Sequence, residues 1–244
     1  MAAPFLPLLL IGAGALVLSG KKKTPIRCPA LNPQGGHLEG IDYHEVITGG
    51  ADPNAKLPMI IAFHGLGDTG QNTIQFFEQF DTPARLIFPN GIRAWKHNYA
   101  WFDLRAKTED QDGLAREIIE TTDAFMPFLR AISSCRPTEG KPIVTGHSQG
   151  GIMTLGLATR YKRYVRAAVA VSAWLPPKLW SANLPFTYGI HGTKDRTVPF
   201  ARSSDYYQTL IENGAPVNFT PIPGGMHGLG KLKGQWMATL AVLA

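Results

Sequence analysis

The sequence predicts an α/β domain with a mostly parallel central sheet and helices on both faces. Two observations carry this. After residue 40, short apolar runs alternate with segments of helical periodicity, the pattern of successive βαβ units. The chain has 244 residues, 44% hydrophobic and 17% charged, which suits one sizeable domain with a full core rather than a disordered polymer.

The elements follow in order. Ile41 to Thr48 reads as a strand. Pro58 to Phe63 (PMIIAF) is a short apolar run ending at His64-Gly65, a buried strand. Gln71 to Phe80 reads as a helix, and Arg85 to Phe88 as a strand closed by Pro89-Asn90-Gly91. Gly91 to Ala106 is a tryptophan-rich loop. From Asp110 to Ile132, apolar residues at Leu114, Ile118, Phe125, Leu129 and Ile132 share one helical face, and Pro127 is expected to kink it. Pro142 to Gly146 is another buried strand and Gln149 to Tyr161 a helix. Arg166 to Ser172 and Phe186 to Ile190 are strands, Pro199 to Asn213 a helix, Val217 to Ile222 a strand and Leu229 to Leu243 the closing helix. Ligands of such sheets bind beyond the carboxyl ends of the strands.

Formal net charge is +6, but its distribution argues against a nucleic-acid partner. Lys21, Lys22, Lys23 and Arg27 lie before residue 30, where no acid occurs, and the remainder carries 20 basic and 18 acidic residues. No basic stripe with interleaved aromatics is present. Ala2 to Gly20 is uncharged and is followed at once by the three lysines. About 20 apolar residues span a bilayer as a helix, so residues 1–20 read as a membrane anchor. The lysines behind it place the domain on the cytoplasmic face. The alternative is a signal peptide cleaved near Val17 and Ser19, with a secreted or periplasmic domain. Residues 21–40 read as a basic, proline-containing tether and 41–244 as the domain. Cys28 and Cys135 make neither a disulfide framework nor a zinc pattern and are expected to be free thiols.

The chemistry centres on Gly146-His147-Ser148-Gln149-Gly150. A nucleophilic serine needs a sharp strand-to-helix turn that lifts its hydroxyl above the sheet, with small residues on either side. Ile143 to Thr145 leads in as a strand and Ile152 to Ala158 leads out as a helix, so Ser148 has that context. An ordinary glycine-rich turn is the bland alternative. The same fold demands an acid and then a histidine, each after a later strand. Asp195 in HGTKDRTVP supplies a carboxylate to hold an imidazole. His227 in IPGGMHGLG supplies the general base and acid, and no other histidine lies beyond Asp195. An oxyanion hole needs two N–H donors. Gln149 offers one at the helix start, where backbone N–H groups are free. The loop Phe63 to Gly70 (FHGLGDTG) is placed to offer the second. Only 47 positions separate Ser148 from Asp195, which leaves no room for a large cap.

FHGLGDTG, Trp101-Phe102-Asp103, GHSQGG, HGTKDRTVP and Met226-His227 together resemble the phospholipase/carboxylesterase family of α/β-hydrolases, which includes acyl-protein thioesterases. The resemblance runs from about residue 55 to the C-terminus. It implies an α/β-hydrolase fold, Ser148, Asp195 and His227 as triad, and the Leu66 and Gln149 N–H groups as oxyanion hole. It implies neither metal nor organic cofactor. The substrate would be a small-molecule or lipid-like acyl ester or thioester. The family commonly has phenylalanine where this chain has His147, which is assigned to packing or elbow support rather than to the role of base. Feruloyl-esterase-like and polyester-depolymerase-like hydrolases share the HGTxDxxVP element and are neighbouring readings. A serine peptidase usually carries an extra domain, and a non-catalytic binding protein would carry a broken triad. Loop tryptophans and methionines predict an apolar pocket built from Trp101, Met153, Trp174 and Met226, with Trp180 left to packing. Arg93, Lys96 and His97 are candidates to meet an anionic leaving group. Oligomeric state is not encoded in any pattern of the sequence.

Overall fold

The computed structural model describes residues 28–30, 35–103 and 105–244. The strands and helices in chain order are β1 (Gly36–Leu38), β2 (Ile41–Ile47), β3 (Met59–Phe63), α1 (Gly70–Thr73), β4 (Arg85–Pro89), β5 (Arg93–Trp95) and β6 (Asn98–Ala100). They continue with α2 (Gln111–Cys135), β7 (Ile143–His147), α3 (Gln149–Arg160), β8 (Ala167–Val171), β9 (Phe186–Gly192), α4 (Phe200–Glu212), β10 (Val217–Ile222) and α5 (Lys233–Leu243). Eight strands form one sheet in the order β1-β2-β4-β3-β7-β8-β9-β10. β1 and β2 run antiparallel to their neighbours, and β4 through β10 in that order are parallel. β5 and β6 form a separate hairpin.

Alternation along each central strand feeds two cores. In β3, Ile61 and Phe63 face a layer with Ile118, Phe125, Ile152 and Leu155 of α2 and α3. Ile60 and Ala62 face the other layer, where Phe77, Phe88, Trp236 and Leu240 pack. Both faces are therefore covered, and the central strands are buried throughout, as parallel strands require. Between Ser148 and Asp195 the chain forms only α3, β8, β9 and short turns, so no large cap is inserted there.

Several expectations shift. The segment expected as a helix over 71–80 is a single α-turn continued by a 3-10 turn, Ile74–Phe77. The tryptophan-rich loop contains the β5–β6 hairpin. Helix α2 runs on past Pro127 to Cys135. The stretch assigned to the tether contributes β1, which pairs with β2 through Gly36–Tyr43 and Leu38–Ile41. The anchor assigned to residues 1–20 lies outside the described residues. Among the described residues, no helix is long and apolar enough to cross a membrane.

Cys28 and Cys135, expected to be free, form a disulfide with Cα atoms 5.2 Å apart. Neighbouring contacts explain the meeting. The Arg136 guanidinium donates to the Pro29 carbonyl at 2.9 Å, drawing this segment onto the end of α2. The same guanidinium belongs to a buried charge cluster. Arg136 Nε lies 2.8 Å from Glu45 Oε2, and Arg85 donates to Glu45 Oε1. Tyr43 Oη accepts from Arg136 and the Pro53 carbonyl from Arg85. All three charged side chains are at most 4% exposed.

Candidate active site

Ser148 follows β7 directly and caps α3 with φ 58° and ψ −121°. A non-glycine residue held at positive φ stores strain, which neighbouring packing must enforce. Here the packing is visible. A Cβ on Gly150 would lie 2.2 Å from the Phe63 carbonyl oxygen, and one on Gly146 would lie 2.5 Å from the Gly150 carbonyl. Only glycines allow β3, β7 and α3 to approach so closely. The Ser148 N–H donates to the Val171 carbonyl at 2.9 Å, fixing the turn to β8.

Beyond β9 and β10 lie the other two candidates. His227 Nε2 is 3.0 Å from Ser148 Oγ, and His227 Nδ1 is 2.8 Å from Asp195 Oδ2. The other carboxylate oxygen, Oδ1, accepts from the Thr197 and Val198 N–H groups at 2.9 and 3.0 Å. Burial would raise the Asp195 pKa, but hydrogen bonds from His191 and His227 and the Val198 N–H outweigh it and hold the carboxyl well below its usual range. An ionised Asp195 at Nδ1 keeps the proton there, so Nε2 is free to accept from the serine.

His191 was not singled out from the sequence. Its Nε2 lies 3.0 Å from the Val198 carbonyl and 3.2 Å from Asp195 Oδ2, so that nitrogen carries the proton. The signal was present in HGTKD, where a histidine precedes the aspartate by four residues.

Leu66 and Gln149, the expected oxyanion donors, both line the cleft that holds Ser148. A Cβ on Gly65 would be 3.8 Å from Ser148 Cβ, so the Phe63–Gly70 loop passes beside the nucleophile. Neither the Leu66 nor the Gln149 N–H has a hydrogen-bond partner among the described residues. The loop is braced from two sides. Gly67 donates to the Tyr99 carbonyl of β6, and Asn98 Nδ2 donates to the Gly67 carbonyl, both at 2.9 Å. His64 accepts from the Gly91 N–H at 2.8 Å through Nε2 and donates to the Gly65 carbonyl at 2.7 Å through Nδ1. Burial lowers its pKa, keeping it neutral for this bridge. The Gln149 amide, assigned no part from the sequence, clamps the adjacent loop. Its Oε1 accepts from the Trp101 N–H at 2.8 Å and its Nε2 donates to the Phe102 carbonyl at 2.6 Å.

Ser148 and His227 open into a cleft of about 560 Å³ at the carboxyl edge of the sheet. Phe76, Leu229 and Trp236 line it from one face of the sheet, and Phe102 and Ile152 from the other. The four residues expected to form the pocket lie elsewhere. Trp101, Met153 and Trp174 are buried in the core, while Met226 is 68% exposed, and none lines the cleft. Trp101 is turned inward because its indole N–H donates to the His64 carbonyl at 3.0 Å. Arg105 and Lys107 stand at the cleft in place of Arg93, Lys96 and His97. Arg93 is instead paired with Asp103 at 2.6 Å.

Comparison with known proteins gives a consistent set. The family model described as Phospholipase/Carboxylesterase matches residues 42–239. Acyl-protein thioesterase 1 of Neurospora crassa is 28% identical over 195 residues, covering 69% of this chain and 79% of the relative. An uncharacterized secreted protein of Arthroderma benhamiae is 22% identical over 215 residues, 72% of this chain, and this chain spans only 22% of that protein's length. Among solved structures, esterase PE8 shares the fold with a TM-score of 0.68 at 21% identity, covering 82% of this chain and 95% of its own.

Proposed function

The chain belongs to the phospholipase/carboxylesterase family, and on that premise we propose that it is a serine hydrolase of carboxylic esters or thioesters. Ser148 attacks the acyl carbonyl while His227 Nε2 takes its proton. The Leu66 and Gln149 N–H groups receive the developing oxyanion. His227 then protonates the leaving group, and water releases the acid from the acyl-enzyme. The observation that carries this reading is the unbroken hydrogen-bond chain from Ser148 Oγ through His227 to Asp195 at the base of an apolar cleft. The apolar lining suits an acyl chain, and the open sheet edge suits a substrate of varied size. Ser148→Ala is expected to lower kcat on p-nitrophenyl butanoate by roughly 10⁴-fold or more. Wild-type turnover by the folded mutant would remove Ser148 from the mechanism. A series of esters and thioesters from acetyl to octanoyl then reads out chain-length and leaving-group preference.

The disulfide bears on location. Disulfides persist in oxidising compartments and are rare in the cytosol. We infer that the domain works outside the cytoplasm, opposite to the orientation expected from Lys21 to Lys23. Protein recovered from its native cell fraction under alkylating, non-reducing conditions is expected to carry no free thiol and to yield one peptide pair joining Cys28 and Cys135. Two alkylated cysteines would return the domain to the cytoplasmic side.

A further inference from the structure

His227 sits in the connection between β10 and α5, a segment containing Gly224, Gly225, Gly228 and Gly230. Glycines make the unfolded and alternative conformations of such a segment numerous, so a fixed imidazole needs external support. The two ends of the segment have it. The Gly224 N–H donates to Thr193 Oγ1 at 2.9 Å, and the Gly225 carbonyl accepts from the Lys194 N–H at 2.8 Å. At the far end, the Leu229 carbonyl accepts from the N–H groups of Leu232 and Lys233.

Between these ends, the main chain of residues 226–228 makes one hydrogen bond among the described residues. His147 Nε2 lies 2.8 Å from the His227 carbonyl oxygen. A carbonyl only accepts, so His147 Nε2 carries the proton and donates. The two imidazole rings also lie against each other, with centroids 4.7 Å apart and planes at 40°. His147 itself is rigidly held, since it ends β7 in register with Val171 of β8.

The geometry points to His147 as a positioning residue for the general base, an assignment that rests on the Ser148–His227–Asp195 reading above. One turn of backbone then carries both the nucleophile and the support of its base. The Ser148 hydroxyl leaves from one residue and the brace on the His227 carbonyl from the residue before it. Their separation is set across a single peptide unit rather than through the glycine-rich segment. The role requires a ring that is a donor yet uncharged beside an imidazole that becomes positive. Desolvation, with the neighbouring His227 charge, pushes His147 down to about 4. Asp195, which opposes that shift, and His191, which adds to it, are the other charged or titratable neighbours. His147 is therefore neutral at neutral pH. A phenylalanine at this position would fill the space without donating.

The test compares His147→Gln with His147→Met, side chains of similar length that differ in the N–H donor, with His147→Phe as a third variant. On p-nitrophenyl butanoate, the Met and Phe variants are expected to lose roughly 10- to 100-fold in kcat, the order of a small misplacement of a reacting group, with KM moved less than about threefold. Hydrogen exchange of residues 224–230 is expected to quicken in both. The Gln variant is expected to recover most of kcat and of the protection. If the folded Met variant turns over at the wild-type rate, or Gln is no better than Met, the assignment fails. Should Phe not fold, the Gln–Met pair decides alone. Ser148→Ala run alongside separates the two ideas, because its retained activity would overturn the triad, whereas an inactive Ser148→Ala beside a wild-type-like Met variant overturns only the role of His147.

Discussion

Asp195→Asn is expected to reduce kcat by about 10⁴-fold while leaving KM nearly unchanged. The size of the effect follows from the partners of this side chain. Oδ1 accepts from two backbone N–H groups, Thr197 and Val198, which have no other acceptor among the described residues. The single oxygen of an asparagine is required there, so its NH₂ group faces His227 Nδ1. Two donors cannot meet, and Nδ1 gives up its proton and accepts instead. The proton then resides on Nε2, 3.0 Å from Ser148 Oγ, where it blocks the transfer from serine. The same NH₂ group would face the protonated Nε2 of His191, an additional mismatch. Steady-state kinetics on a p-nitrophenyl ester, paired with a thermal melt to establish that the variant is folded, checks this. A kcat within tenfold of wild type would mean that His227 finds its tautomer without Asp195.

Glu45→Gln is expected to destabilise the fold by about 3–5 kcal/mol, the usual consequence of leaving a buried charge without its partner. Among the described residues, the carboxylate is the one negative charge paired with Arg85 and Arg136, and both guanidiniums are almost fully buried. Glutamine keeps one acceptor oxygen and nearly the same shape, but the two cations then face each other uncompensated. Arg85 Nε already lacks a partner among the described residues, so the cluster has little spare hydrogen-bonding capacity to absorb the loss. Urea unfolding should show a lower midpoint at an unchanged slope. A shift corresponding to less than 1 kcal/mol would mean that water or a rearranged side chain replaces the carboxylate.

The central strands were legible because a parallel strand buried on both faces is written as an unbroken apolar run, as in Met59 to Phe63 and Ala167 to Val171. Ser148, Asp195 and His227 could be drawn into one hypothesis because each follows a strand in the order such a fold demands, and the structure sets them within hydrogen-bond reach of one another. Other features depend on pairing between distant segments, which periodicity does not record. β1 was hidden beside prolines and glycines, and its pairing with β2 appears only in the sheet. The disulfide joins residues separated by 107 positions, brought together by an arginine whose partner is a backbone carbonyl. The pocket was misassigned because loop tryptophans were expected to face substrate. Trp101 has a backbone acceptor on its inner side, and the cleft wall comes from Phe76 and Trp236, residues of turns and helices on the opposite face. His147 was assigned to packing or elbow support, and no pattern in the sequence showed that its ring lies against His227.

The disulfide also settles which end of the molecule is the handle. Cys135 closes α2 beside Leu57 and Thr138, which pair just ahead of the start of β3, and the cleft lies past the end of that strand at Phe63. Cys28 is therefore bolted to the pole opposite the mouth. An affinity tag, a resin or a sensor chip joined ahead of Cys28 would grip the protein by its back. The mouth would stay turned toward the bulk solution.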